Sequence, residues 1–242
     1  MPESGLPWPP VLDVFIGYDS HEVVAYHVLC QSILEHSSRP VRFTPLNLSS
    51  LKPIFDRAPV GVQSTEFSFS RFLTPYLSSY SGWSLFMDCD MLMRGDVSDL
   101  FALADDEYAV MVCQHDYAPR DEVKFLDRVQ TRYAKKNWSS VMLLNNARCR
   151  ALTPDYVQAA SGLDLHQFRW LADEAEIGAL PLEWNWLVGE YDYNPDARLA
   201  HFTRGGPYFA RYEDSDYADE WRATRARAAA AAGRPADATS GR

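Results

Sequence analysis

Two carboxylates interrupt an apolar run. In LFMDCDMLM, Leu85 to Met93, Asp88 and Asp90 stand one residue apart among side chains that otherwise belong in a core. Burying an unpaired carboxylate is expensive, so acids in this setting need a partner. On an extended strand, alternate side chains share a face. Both acids would then lie on one side and repel unless one takes a proton or a cation sits between them. A hard divalent cation takes oxygen ligands and leaves room for phosphate oxygens. The pattern therefore predicts Mg2+ or Mn2+ held by Asp88 and Asp90 against a diphosphate. Capping of the turn before RGDVSDL is a weaker explanation, because Asp96 and Ser98 already supply caps for the next helix.

A second chemistry uses similar residues. Haloacid-dehalogenase-like phosphatases carry an apolar strand followed by DxDx(T/V), which would make Asp88 a phosphoryl-accepting nucleophile. Here Leu92 stands where that pattern needs Thr or Val. A whole β-α-β unit also precedes the motif, and Asp105 and Asp106 come before a strand instead of after one. A sugar nucleotidyltransferase is disfavoured because no GxGxR loop follows the first strand.

The elements that must position the acids read as a single α/β domain. VLDVFIGYD suits a buried parallel strand, and the helix after it, with Ser20 as N-cap, leads to the strand PVRFTPLNL. This β-α-β opening is the pattern of a Rossmann-like, mostly parallel mixed sheet flanked by helices. STEFSFSRFLTPYLSSY reads as a helix and GWSLFMDCDMLM as one continuous strand. A short helix over Asp96 to Ala104 precedes strands over Tyr108 to Asp116 and Trp138 to Asn146. LTPDYVQAASG reads as a helix stopped by Gly162, LHQFRWLAD as another, and ARLAHFT as the last strand. The expected division is a flexible segment over 1–10, the domain over 11–222 and a low-complexity Ala- and Arg-rich tail over 223–242 that begins as a helix extension.

Composition narrows the partners. A chain of 242 residues that is 47% hydrophobic can bury one substantial core. Its formal net charge of −10, with no basic face, argues against nucleic acid. Cys30, Cys89, Cys113 and Cys149 are widely spaced and read as reduced thiols, with neither a zinc pattern nor a disulfide framework. MPESGLPWPP is Pro-rich and polar, unlike a signal segment, and no run reaches membrane-spanning length. The expected location is the cytoplasm. Composition does not specify the oligomeric state.

Taken in order, DVFIGYD, STEFSFSRFLTPYL, LFMDCDMLM, WSSVMLLNN, LPLEWNWL and HFTRGGPYF resemble glycosyltransferases of the GT-A fold. The likeness is greatest to family 8, which includes glycogenin and the lipopolysaccharide galactosyltransferases. It spans about Val11 to Trp221, and KKNWSSVMLLNN and LPLEWNWLVGEY resemble a bacterial branch of that family. The resemblance implies a metal-dependent retaining transfer of a sugar from a nucleotide-diphosphate sugar, a UDP-sugar foremost, to an acceptor hydroxyl, either by same-face attack with the leaving phosphate as base or through a covalent intermediate on an acid. The alternative within the resemblance is an inactive homologue that binds nucleotide.

The same resemblance implies roles. Phe15, Ile16, Gly17, Tyr18 and Asp19 would floor the nucleotide base, with Gly17 admitting close backbone approach. Asp88 and Asp90 would ligate Mn2+ or Mg2+, with Cys89 between them in the donor site and His201 as third ligand. Arg71 would sit beside the donor sugar and the metal-binding acids. Gly205 and Gly206 would present amides to the β-phosphate. The family's lysine in this segment is missing, and Arg204 is the charge nearest to it. Lys135, Lys136 and Ser139 would contact sugar or phosphate. Asp173 or Glu174 would face the donor sugar's reactive side.

Overall fold

A computed structural model describes residues 11–57, 65–116 and 135–232. Strand β1 (Leu12–Gly17) is followed by helix α1 (Val23–His36), β2 (Val41–Leu46) and a short α2 (Leu48–Leu51). After α3 (Thr74–Leu77) come β3 (Trp83–Met87), β4 (Met91–Met93), α4 (Val97–Phe101) and β5 (Val110–Cys113). Then follow β6 (Val141–Asn145), α5 (Pro154–Ala159), α6 (Gly162–His166), β7 (Ile177–Leu180), β8 (Trp186–Leu187), β9 (Leu199–His201) and α7 (Ala218–Ala232).

Six strands form a mixed sheet in the order β2-β1-β3-β6-β5-β7, in which β6 runs antiparallel to both its neighbours. Every residue of β5 and β6 is buried, as is all of β3 beyond Trp83, which is the signature of a sheet covered on both faces. This is the expected Rossmann-like α/β architecture. A second sheet, β4-β9-β8, packs a smaller core with Trp221 of α7 and Val28 of α1. The chain passes from β1 to β2 on one side and returns to β3 on the other. The carboxyl ends of β1 and β3 therefore border the point where strand order reverses, the usual ligand crevice of such sheets.

Several local expectations are corrected. The run expected as one strand through Met93 breaks at 88–90, so β3 belongs to the large sheet and β4 to the small one. The ladder gives way where the two charges could not be packed. The helix expected over Ser64 to Tyr80 is a series of turns, a 3-10 turn at Ser70–Leu73 and the single turn of α3. Nearly all of 65–75 is buried, so no amphipathic stripe exists. The Ser68 and Thr74 hydroxyls instead donate to the carbonyls of Thr65 and Arg71 at 2.8 Å.

Ser20 does not cap α1. Glu22 holds the N-cap position, without a side-chain cap, and Ser20 Oγ donates to Glu66 Oε1 at 2.6 Å. Gly162 opens α6 instead of ending α5, because Ser161 caps the new helix. The helix expected over Leu165 to Asp173 stops after His166, where Phe168 takes a left-handed φ of 59°. The strand expected from Trp138 begins at Val141, after a left-handed Asn137 and a 3-10 turn. Helix α7 runs through 222 and 223 to Ala232; residues 1–10 and 233–242 lie outside the described residues.

Candidate active site

Register brings the distant acids and His201 together. Asp88 and Asp90 occupy the gap between β3 and β4, and their backbone is tied on both sides. The Asp88 amide donates to the Ser140 carbonyl at 2.9 Å, and the Phe202 amide donates to the Asp90 carbonyl at 2.9 Å. Strand β9 pairs antiparallel with β4, which sets His201 opposite Met91. Ligand atoms of Asp88, Asp90 and His201 consequently lie within 4.8 Å of one another. His201 Nε2 is 3.5 Å from Asp90 Oδ1, and these two side chains are almost completely buried. Cys89 points the other way, into the core, and burial pushes its thiol pKa up.

Asn185 prepares His201. Its Nδ2 donates to the Asn137 carbonyl at 3.3 Å and to Ser140 Oγ at 2.8 Å, which turns Oδ1 toward His201 Nδ1 at 2.8 Å. The ring therefore donates through Nδ1, and neutral His201 keeps its lone pair on Nε2, the nitrogen beside Asp90. Metal-ligating histidines are commonly oriented in this way. Two carboxylates and this imidazole fit a divalent cation such as Mn2+ or Mg2+.

Arg71 balances part of the charge. It is 4% exposed, and its Nη1 lies 2.8 Å from Asp88 Oδ1 and donates to the Ser139 carbonyl at 2.9 Å. The guanidinium lies against the rings of Phe67 and Phe86. Behind it, Ser139 Oγ is 2.7 Å from His166 Nδ1. Burial, and next the charge of Arg71, lowers the His166 pKa to about 3. His115, bonded through Nδ1 to Tyr191 at 2.8 Å, is also driven down to about 3, first by burial and then by His201.

The other sequence-derived candidates have definite places. Phe15 and Ile16 are core side chains, and Tyr18 packs edge-on against Tyr26. The space left by Gly17 is filled by a protein side chain: a Cβ there would come 2.3 Å from the Phe67 ring. Asp19 is buried and accepts from the His21 amide at 2.9 Å and the Glu66 amide at 3.1 Å. Lys135 pairs with Glu174 at 2.6 Å, and Lys136 is buried. Asp173 caps the turn Glu174–Glu176 in a capping box, while the Glu174 side chain is 83% exposed. Gly205 and Gly206 are buried beyond β9, and Arg204 donates to the Gly189 carbonyl at 3.2 Å.

Sequence reasoning missed Asn185, His166, His115, Glu22 and Tyr208. Glu22 is 1% exposed at the start of α1 and accepts from the Tyr208 hydroxyl at 2.5 Å. Burial first, then the negative charge of Asp90, holds its pKa well above the usual carboxylate range. The asparagine was visible within LPLEWNWL, but only the packing of β8 against β9 reveals its partner.

No family model matches the chain. Among solved structures, the WbbM bifunctional glycosyltransferase superposes with a TM-score of 0.63 at 15% identity, over 90% of this chain. The chain spans 50% of WbbM's own length. The galactosyltransferase LgtC, solved with donor and acceptor sugar analogs, superposes with a TM-score of 0.56 at 10% identity, over 89% of this chain and 96% of LgtC. GlyE of Streptococcus pneumoniae TIGR4 gives 0.56 at 14% identity, over 88% of this chain and 60% of that one. These likenesses establish the GT-A fold. In sequence, Protein CDI of Arabidopsis thaliana is 46% identical over 217 residues, 86% of this chain and 83% of that protein. The chain belongs to the same family as Protein CDI.

Proposed function

We propose that this chain is a metal-dependent, retaining glycosyltransferase of the family 8 type, which moves a sugar from a UDP-sugar to an acceptor hydroxyl. The observation that carries the reading is the Asp88, Asp90 and His201 cluster, with its ligand atoms within 4.8 Å and its imidazole tautomer set by Asn185. Its place at the strand-order reversal and the GT-A fold support the same reading.

In this reading Asp88, Asp90 and His201 hold Mn2+ or Mg2+. Bound there, the cation supplies Lewis-acid stabilisation of the diphosphate as the glycosidic bond breaks. Arg71 adds a fixed positive charge beside Asp88, at no cost of reorganisation during reaction. The amide of Gly206 receives a phosphate oxygen, and the Gly205 amide, bonded to the Phe202 carbonyl, shapes the turn. Tyr18 and Asp19 border the base, and Ser139 and Lys136 border the sugar. Asp173, which caps a turn, and Glu174, which pairs with Lys135, bind sugar hydroxyls. The acceptor hydroxyl attacks from the face that the diphosphate leaves, and the departing phosphate takes its proton.

Thermal unfolding with UDP, GDP, CDP and dTDP, with and without Mn2+, tests this. Ligand at a hundred times its Kd stabilises by about 2.7 kcal/mol, which in a chain of this size raises Tm by about 5–10 °C. UDP with Mn2+ is expected to give the largest shift, and Asp90→Ala to abolish it. Absence of a metal-dependent shift with every nucleotide would sink the proposal. A UDP-dependent shift without transfer or hydrolysis of any UDP-sugar would mark a nucleotide-binding protein instead.

A further inference from the structure

Glu22 stands at the N-cap of α1, yet its carboxyl caps nothing. One oxygen accepts from Tyr208, and Oε2 is buried without a hydrogen-bond partner among the described residues. A buried carboxyl is an unusual choice where serine or aspartate would cap the helix directly. Its one visible bond crosses 186 positions to the segment that follows His201.

That segment is shaped around Tyr208. The Gly205 amide donates back to the Phe202 carbonyl at 2.8 Å, and Gly205 has a φ of 137°, which favours glycine. A Cβ on Gly206 would come 2.2 Å from Tyr208 Cε1. The tyrosine ring thus folds over a glycine and rests on Trp221, with centroids 5.3 Å apart. The turn is held at both ends. Upstream, the Phe202 amide bonds to the Asp90 carbonyl; downstream, Tyr208 bonds to Glu22.

We propose that Tyr208 and Glu22 are a positioning pair that holds the Gly205–Gly206 turn over the Asp88–Asp90–His201 cluster in the geometry that receives the donor's diphosphate. The inference rests on the donor-site reading above and adds the residues that set the turn. The pair ties three separate parts of the chain, the start of α1, the glycine turn and α7, at the mouth of the strand-order reversal.

The test measures two affinities and one stability on the full chain: Mn2+ alone by electron paramagnetic resonance, UDP in saturating Mn2+ by calorimetry, and urea unfolding. Tyr208→Phe is expected to weaken UDP binding by about tenfold, as loss of one supporting hydrogen bond commonly does, with Mn2+ affinity unchanged. Glu22→Gln keeps an acceptor for the phenol and is expected to retain most UDP affinity. In Glu22→Met/Tyr208→Phe both polar partners become apolar, so stability lost in the single variant should return, while UDP affinity stays low. UDP affinity that recovers with stability, or that is undiminished in Tyr208→Phe, would overturn the pair. Failure of the wild-type protein to bind UDP would overturn the donor-site reading itself, and the pair with it.

Discussion

At the scale of single residues, the site concentrates negative charge among largely buried side chains. Asp88, Asp90 and Glu22 converge at the ends of β3 and α1, and the basic residues facing them are Arg71 and His201. Arg71 is committed to Asp88, so under the proposed function His201 would decide how well a cation is received. Its usefulness depends on which nitrogen carries the proton, and Asn185 settles that. Asn185→Leu should therefore lower Mn2+ affinity by about 10–100-fold, as loss of a histidine's orienting partner commonly does. Titration of free Mn2+ by electron paramagnetic resonance checks this, and an unchanged affinity would remove Asn185 from the site. The pairing of Asp88 with Asp90 was legible from residue type and spacing, and the family resemblance pointed to His201 beside them. Asn185 and Glu22 were not, because an asparagine in WNW and an acid at a helix start are ordinary until tertiary packing shows what each one touches.

At the scale of elements, the misread segments share a cause. A run of apolar residues predicts burial but not continuity, so the strand through LFMDCDMLM and the helix through SFSRFLTPYL were both drawn too long. Side-chain hydroxyls and left-handed residues, Asn137 and Phe168 among them, set the actual ends. Gly17, expected to admit the nucleotide base, instead admits the ring of Phe67, fifty positions later in the chain. The short α6 brings His166 to Ser139, and that placement has a consequence for pH. Folded His166 titrates near 3, whereas an unfolded histidine titrates near 6.5. Between these values the unfolded chain binds the proton that the folded chain refuses, so stability falls as pH drops from 6.5 toward 3. His115 acts in the same direction over the same range. His166→Gln should flatten this slope, retaining on the order of 1–2 kcal/mol more of its neutral-pH stability at pH 5 than the wild type. Urea midpoints at pH 7 and 5 measure the difference.

At the scale of the molecule, two sheets supply one cluster of side chains. The large sheet supplies Asp88 at the end of β3, the small sheet supplies His201 from β9, and Asp90 begins the crossing into β4. Helix α7 closes the small core through Trp221, which is almost completely buried. Trp221→Ala should cost about 3–5 kcal/mol by opening a cavity there, read by urea unfolding; a cost below 1 kcal/mol would mean that α7 is an appendage. No helix among the described residues is long and apolar enough to cross a membrane. The break between β3 and β4 carries a final consequence. Because the backbone around Asp88 and Asp90 is stapled to one sheet at Ser140 and to the other at Phe202, the entropy of confining two mutually repelling carboxylates is charged to folding. Under the proposed function, a cation would meet carboxylates that have little left to rearrange, and its binding should be accompanied by only a small change in heat capacity.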